Sequence, residues 1–451
     1  MKPSANKHKL SVSKLPLSHP LKIYLITLGC SKNVYDSEIL MGQLEVNGAL
    51  LVPQPEQAEV IIINTCGFIL PAKEESIQTI LEAVEYKKRK ENLKVIVCGC
   101  LSARYYHQLK KYIPEVDAYF GTEEFSDLLN YLNFSPRGNN HLYQYRVLSE
   151  KPHYAYLKIS EGCNHKCAFC AIPLMRGKLH SRPLEDIVQE AELLTHRGVK
   201  EIILVAQDST SYGADLYQKP RLIPLLEKLE KIKDLHWIRL HYTYPTTFQD
   251  ELVEVIAKSD KIVHYIDLPI QHISDKVLKL MKRGSSNKKI KKILYDIRQK
   301  IPDAAIRTTL IVGHPGEAKA DFQELLKFIT DFQFERLGTF IYSPEENTLA
   351  YHLPAPRRSV AQERYREIMQ AQQYISWQKN QLLINHQRQV LIDEYDPNTQ
   401  IARGRTYADS PEIDNEVLIQ KKLIIPKPGE FYNVKITDAT EYELYGEIVE
   451  E

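Results

Sequence analysis

Three cysteines, Cys163, Cys167 and Cys170, stand in one short stretch, SEGCNHKCAFCAIPLMR, at C-x3-C-x2-C spacing. Thiolates this close on one loop can hold three corners of a cubane iron–sulfur cluster and leave the fourth iron without a protein ligand. An open metal position lets a cluster bind a substrate instead of only relaying electrons. The alternative is a zinc knuckle, which needs a fourth Cys or His at knuckle spacing. His165 lies inside the loop, too close to close such a ring comfortably. Three further cysteines, Cys30, Cys66 and Cys100, are spread over about seventy positions, each beside a glycine. Only a fold could bring them together.

The elements around them suggest which fold. From Leu21, apolar runs alternate with amphipathic stretches: KIYLITLG, AEVIIINT and KVIVCG as strands, with helices between them and a helix from Ala103 to about Ile113. Such apolar strands imply a parallel sheet covered on both faces. Cys30, Cys66 and Cys100 fall at the ends of its first three strands. Ligands of open α/β sheets bind at the carboxyl ends of strands, so the trio is expected on one rim. The alternative is three buried structural cysteines. Cys98, within VIVCG, reads as core.

A second domain begins near His153, with six candidate strands (YAYLKIS, EIILVAQ, WIRLHY, IVHYIDLPI, AIRTTLIVG and ERLGTFIYS) separated by helices. Six βα units with right-handed crossovers curl into a partial barrel. The Cys163 loop follows the first strand, at the mouth where such barrels keep their chemistry. Gln207, Asp208, His241, Tyr242, Gln271, His272 and the VGHPGE turn with Gly313 and Gly316 end other strands there. The helical stretch from Pro356 to about Leu383 reads as a connector, with Trp377 as a core contact. Five short strand patterns from Ile384 onward suggest a small β-barrel. The expected division is a disordered tail over 1–20, an N-terminal domain over 21–135, the partial barrel with its connector over 150–382, and the small barrel over 383–451.

Composition narrows the partners. Hydrophobic residues at 43%, charged residues at 26% and a net charge of +1 are globular values with no global pull toward nucleic acid or membrane. No apolar run reaches the ~20 residues of a membrane span, and the N-terminal residues lack a secretory apolar core. Metal-ligating cysteines in a reducing, cytoplasmic compartment are therefore expected. The C-terminal segment is acidic, with about 14 Asp or Glu against about 7 Lys or Arg. It should attract a basic partner and repel RNA, so direct RNA binding is not expected.

The Cys163 loop resembles the signature of the radical S-adenosylmethionine (SAM) superfamily. GCSKN, NTCGF and CGCL, at residues 29–33, 64–68 and 98–101, are similar to the N-terminal domain of the methylthiotransferases, and a TRAM-type barrel completes that family's three-part order. CAFCAIPLMRGKLHSRP, DLPIQHISDKVLKLMKR, YSPEENT and GRTYADSPEID resemble the branch that modifies an aspartate β-carbon on the twelfth protein of the small ribosomal subunit. The resemblance implies two 4Fe–4S clusters, held by Cys163, Cys167 and Cys170 and by Cys30, Cys66 and Cys100. It implies SAM contacts at Phe169, Gln207 and Gly313, a ribosomal protein as substrate, an external electron donor and a possible sulfur donor. The first cluster would cleave SAM to a radical that abstracts the β-hydrogen, and sulfur held at the second would be inserted. The extra Cys98 and His314 depart from the family pattern. Three alternatives stay open: methylthiolation of an adenosine beside the tRNA anticodon, a non-catalytic iron–sulfur carrier, and a zinc-stabilised interaction module.

Overall fold

The computed structural model describes residues 19–138, 141–420 and 424–449. Of the tail expected over 1–20, residues 1–18 lie outside the described part.

The first sheet contains β1 (Lys22–Thr27), β2 (Leu50–Leu51), β3 (Val60–Thr65), β4 (Lys94–Gly99) and β5 (Ala118–Tyr119), all parallel, in the order β2-β1-β3-β4-β5. The helices are α1 (Ser31–Val46), α2 (Leu70–Arg89), α3 (Cys100–Tyr112) and α4 (Phe125–Tyr131). Every residue of β3 is buried. Ile61 and Ile63 pack with α2 and α3 on one face, whereas Val60 and Ile62 pack with α1 and α4 on the other. Strand alternation therefore serves two cores at once. The third helix starts at Cys100 itself, earlier than the apolar period indicates.

In the central domain β6 (Tyr154–Lys158) leads into a two-residue hairpin, β7 (Ser160–Glu161) and β8 (His180–Ser181), that encloses α5 (Ile172–Arg176). Then come β9 (Glu201–Val205), β10 (Trp237–Leu240), β11 (Ile262–Asp267), β12 (Ala305–Val312) and β13 (Arg336–Ile341). Their covering helices are α6 (Leu184–His196), α7 (Leu222–Leu229), α8 (Asp250–Lys258), α9 (Asp275–Leu280), α10 (Asn287–Lys300) and α11 (Lys319–Phe332). The sheet is parallel and runs β13-β12-β11-β10-β9-β6, so the expected six-stranded open barrel is present. α12 (Arg358–Gln381) packs on its edge. Trp377 is not the core contact expected of it: it is 43% exposed and stacks on the still more exposed Tyr374.

A closed barrel of β14 (Gln387–Asp396), β15 (Ile401–Arg405), β16 (Glu416–Gln420), β17 (Phe431–Ala439) and β18 (Glu443–Ile448) ends the chain. It docks at the floor of the central barrel through buried ion pairs and a tyrosine hydrogen bond. Arg405 reaches Glu201 at 2.8 Å, Arg336 Nε reaches Asp409 at 2.8 Å, and Tyr265 donates to Asp414 at 2.7 Å. Residues 406–415 insert far enough for Ser410 to meet His241 at 3.0 Å. Part of the acidic surplus thus holds two domains together, while Glu394, Glu412, Glu430 and Asp438 stay exposed.

Candidate active site

The β7–β8 hairpin is the base from which the Cys163 loop rises. The Cys163 N–H donates to Gly177 O at 3.1 Å, closing the loop on itself. Ala168 anchors its middle, donating to Met281 O at 2.9 Å and accepting from the Ala350 N–H at 2.8 Å. Cys167 Sγ lies 3.3 Å from the Tyr244 hydroxyl and 3.6 Å from Arg283 Nη1. Burial pushes the Cys163 thiol up to about 11 and the Cys170 thiol up to about 12, each also raised by the charge of Cys167. Buried thiols raised by a neighbouring sulfur suit a positively charged iron cluster, whose binding must displace their protons.

His165 is engaged elsewhere. Its Nε2 lies 2.6 Å from Asp208 Oδ2, and its ring stacks on Tyr244 at 3.7 Å. Asp208 in turn accepts from the Thr210 N–H at 2.9 Å. The histidine of the zinc reading is therefore a strut. Among the described residues, no group of His, Cys, Asp or Glu is arranged to hold a single metal ion.

The other trio gathers at the rim of the N-terminal sheet. Cys30 caps α1 three residues beyond β1, Cys66 follows β3, and Cys100 opens α3 after β4. Gly29 makes this approach possible: its φ is +94°, and a Cβ there would lie 2.7 Å from the Cys66 Cβ. Asn33 ties the rim together by donating to Leu28 O at 2.6 Å and Thr65 O at 3.1 Å. Cys98 is fully buried in the apolar core, as expected from its place in the strand.

One arginine ties the dispersed trio to the segment that follows the Cys163 loop. Arg176, at the end of the helix that follows the Cys163 loop, is 2% exposed. Its Nε donates to Cys100 Sγ at 3.2 Å, Nη2 to Asn33 at 2.6 Å, and Nη1 to Glu161 at 2.7 Å and Asp36 at 3.2 Å. Lys158 pairs with the same two carboxylates. Burial raises the Cys100 thiol to about 12 even against the pull of Arg176. Burial also raises Cys66. At Cys30 the burial effect is outweighed by Lys32 and Arg176, and the net shift is downward.

The residues expected to touch SAM differ in what they offer. Phe169 packs with Ala168, Tyr342 and Ala350 at the mouth. Gln207 donates to Glu161 at 2.8 Å, and its buried Oε1, like that of Gln271, has no partner among the described residues. Gly313 has φ of +75° and presses on Ala361 of α12, where a Cβ would come within 2.6 Å of the alanine Cβ; its N–H is taken by Glu317. Arg176, Arg283, Lys32 and Glu161 were missed by the sequence reading, because no spacing rule marks which distant charges meet at a strand end or across a domain boundary. A cavity of about 310 Å³ opens instead between β13, α12 and residues 413–415, and no cysteine lines it.

A partial barrel carrying this loop at its mouth, behind a three-cysteine sheet domain, defines a radical SAM enzyme. Residues 157–329 match the Radical SAM superfamily, 22–121 match Uncharacterized protein family UPF0004, and 386–449 match the TRAM domain. The fold is similar to that of the radical S-adenosylmethionine methyltransferase TsrM of Kitasatospora setae, with a TM-score of 0.53 and 12% identity over 74% of this chain and 77% of that one. The chain belongs to the RimO family of ribosomal protein uS12 methylthiotransferases. It is 51% identical over 427 residues to the member from Christiangramia forsetii, covering 94% of both chains. It is 48% identical over 428 residues to the member from Aquifex aeolicus, covering 94% of this chain and 97% of that one.

Proposed function

We propose that this protein adds a methylthio group to the β-carbon of an aspartate of ribosomal protein uS12, with Cys163, Cys167 and Cys170 holding one 4Fe–4S cluster and Cys30, Cys66 and Cys100 the other. The observation that supports this reading most is Arg176, which follows the Cys163 loop in the chain and donates across the domain boundary to Cys100. A β C–H is too weakly acidic for a general base at neutral pH. When bound, SAM and the reduced cluster supply a radical for hydrogen removal, and the auxiliary cluster supplies a place for sulfur.

The chain's own residues bind and orient. Arg283 and Arg176 donate to cluster-ligand sulfurs and offset thiolate charge. Gln207 keeps an unmatched acceptor at the mouth that suits the amino group of SAM, and Phe169 supplies an apolar wall. α1 reaches the strand ends through Lys32 on Ala206. Cytoplasmic work with an external electron donor and a sulfur source fits this chemistry. The exposed acids of the C-terminal barrel suit a basic ribosomal protein better than RNA.

The test is anaerobic turnover with SAM and reductant, offering uS12 and hypomodified tRNA side by side. Mass spectrometry should show a gain of about 46 Da on the protein alone, one methylthio group in place of hydrogen. Gain on tRNA alone would overturn the choice of substrate.

A further inference from the structure

Several buried cations face the space between the N-terminal domain and the barrel mouth, and most are matched. Arg176 and Lys158 share Asp36 and Glu161. Arg283 donates to the Cys167 sulfur and to Pro269 O. Lys32 is different. It sits on α1 with 7% exposure, and among the described residues no carboxylate pairs with it. Its Nζ has the Ala206 carbonyl at 3.5 Å and the centroid of the Tyr242 ring at 3.5 Å.

Both contacts lie just past strand ends, Ala206 after β9 and Tyr242 two residues after β10. The ammonium is therefore held over the mouth. The ring beneath it is held at a cost: Tyr242 has φ of +58°, and its N–H is fixed by Asp267 at 2.9 Å. An ammonium carries three donors, and one long hydrogen bond leaves most of that capacity unmet. Apart from the Cys30 sulfur, no anionic group among the described residues matches this buried charge. Such a charge is expensive, so an anion that arrives with a ligand would stabilise it.

We infer that Lys32 recognises the side-chain carboxylate of the aspartate being modified and sets the preference for an acidic residue over a neutral one. This rests on the aspartate reading above. Cys30, two residues away, is the competing claimant for the charge, so the test must read substrate and cluster separately.

Reconstituted full-length enzyme without reductant is titrated with fluorescent peptides carrying the uS12 target loop, with Asp or Asn at the target position. Wild type should prefer Asp by at least about tenfold, Lys32→Met should bind both at the Asn level, and Lys32→Arg should keep part of the preference. Iron and sulfide content and the spectrum of the auxiliary cluster should be unchanged in Lys32→Met. Retained preference in Lys32→Met overturns the inference, as does loss of iron from the Cys30 site. Equal binding of both peptides by wild type overturns it as well. Failure of the aspartate reading would appear separately, as no mass gain on uS12 with wild-type enzyme.

Discussion

The two cysteine trios reach similar chemistry by opposite routes. Cys163, Cys167 and Cys170 come from one loop, pinned from below by a short hairpin and from the sides by Ala168, Tyr244 and Arg283. Cys30, Cys66 and Cys100 come from three strand ends and meet because a parallel sheet lines its loops along one edge. A local loop can be transplanted between folds, whereas the dispersed trio exists only where the sheet does. The loop's arginine comes from its own domain; the dispersed trio borrows Arg176 from its neighbour. The second site is thus incomplete until the domains dock.

Cysteine substitutions should break the comparison most cleanly. Cys163→Ala, Cys167→Ala or Cys170→Ala should abolish reductive SAM cleavage, read as loss of 5′-deoxyadenosine. Cys30→Ala, Cys66→Ala or Cys100→Ala should keep that product and lose methylthio insertion. Full methylthiolation by either class would end the proposed division of labour.

Arg176→Ala comes next. It leaves Asp36 and Glu161 buried with only Lys158 between them, and breaking such a network costs about 3–5 kcal/mol. Thermal unfolding should show the loss, and limited proteolysis should separate the N-terminal domain. Arg283→Ala strands no carboxylate. Its cost should be smaller, about 1–3 kcal/mol from lost hydrogen bonds, with weakened iron retention at the loop as the visible sign.

The smallest effect concerns the segment joining the two sites. Burial, and then the neighbouring Glu412, raise the Glu150 carboxyl from 4.5 to about 7. A raised acid favours the protonated fold: its contribution is complete below 4.5 and lost as pH rises through about 7. Glu150→Gln should therefore raise the melting temperature at pH 8 and leave it unchanged at pH 4. A rise at both pH values would show that charge is not the cause.

The difference between the trios also explains what could be read from sequence. Loop spacing marked the first candidate site, and the apolar run of β3, buried along its whole length, marked a sheet covered on both faces. Cys66 and Cys100 could then be placed by topology. β2 and the β7–β8 hairpin, two residues per strand, are too short to leave a period. His165 reads as too close to serve as a fourth ligand, but its partner Asp208, forty-three positions away, is invisible to local spacing. Trp377 was misplaced because the mixed pattern of α12 does not say which face meets the barrel. The acidity of the last domain was plain, but not that Asp393, Asp409 and Asp414 are spent on arginines.

The Arg176 contact also sets an order of events during synthesis. Cys30, Cys66 and Cys100 leave the ribosome before the guanidinium that will cover Cys100 has been made. Cys100 is thus uncovered on the nascent chain and paired with Arg176 once the central domain has folded. Iron supplied after release meets Cys100 already paired with that guanidinium, whereas Cys30 is still partly exposed.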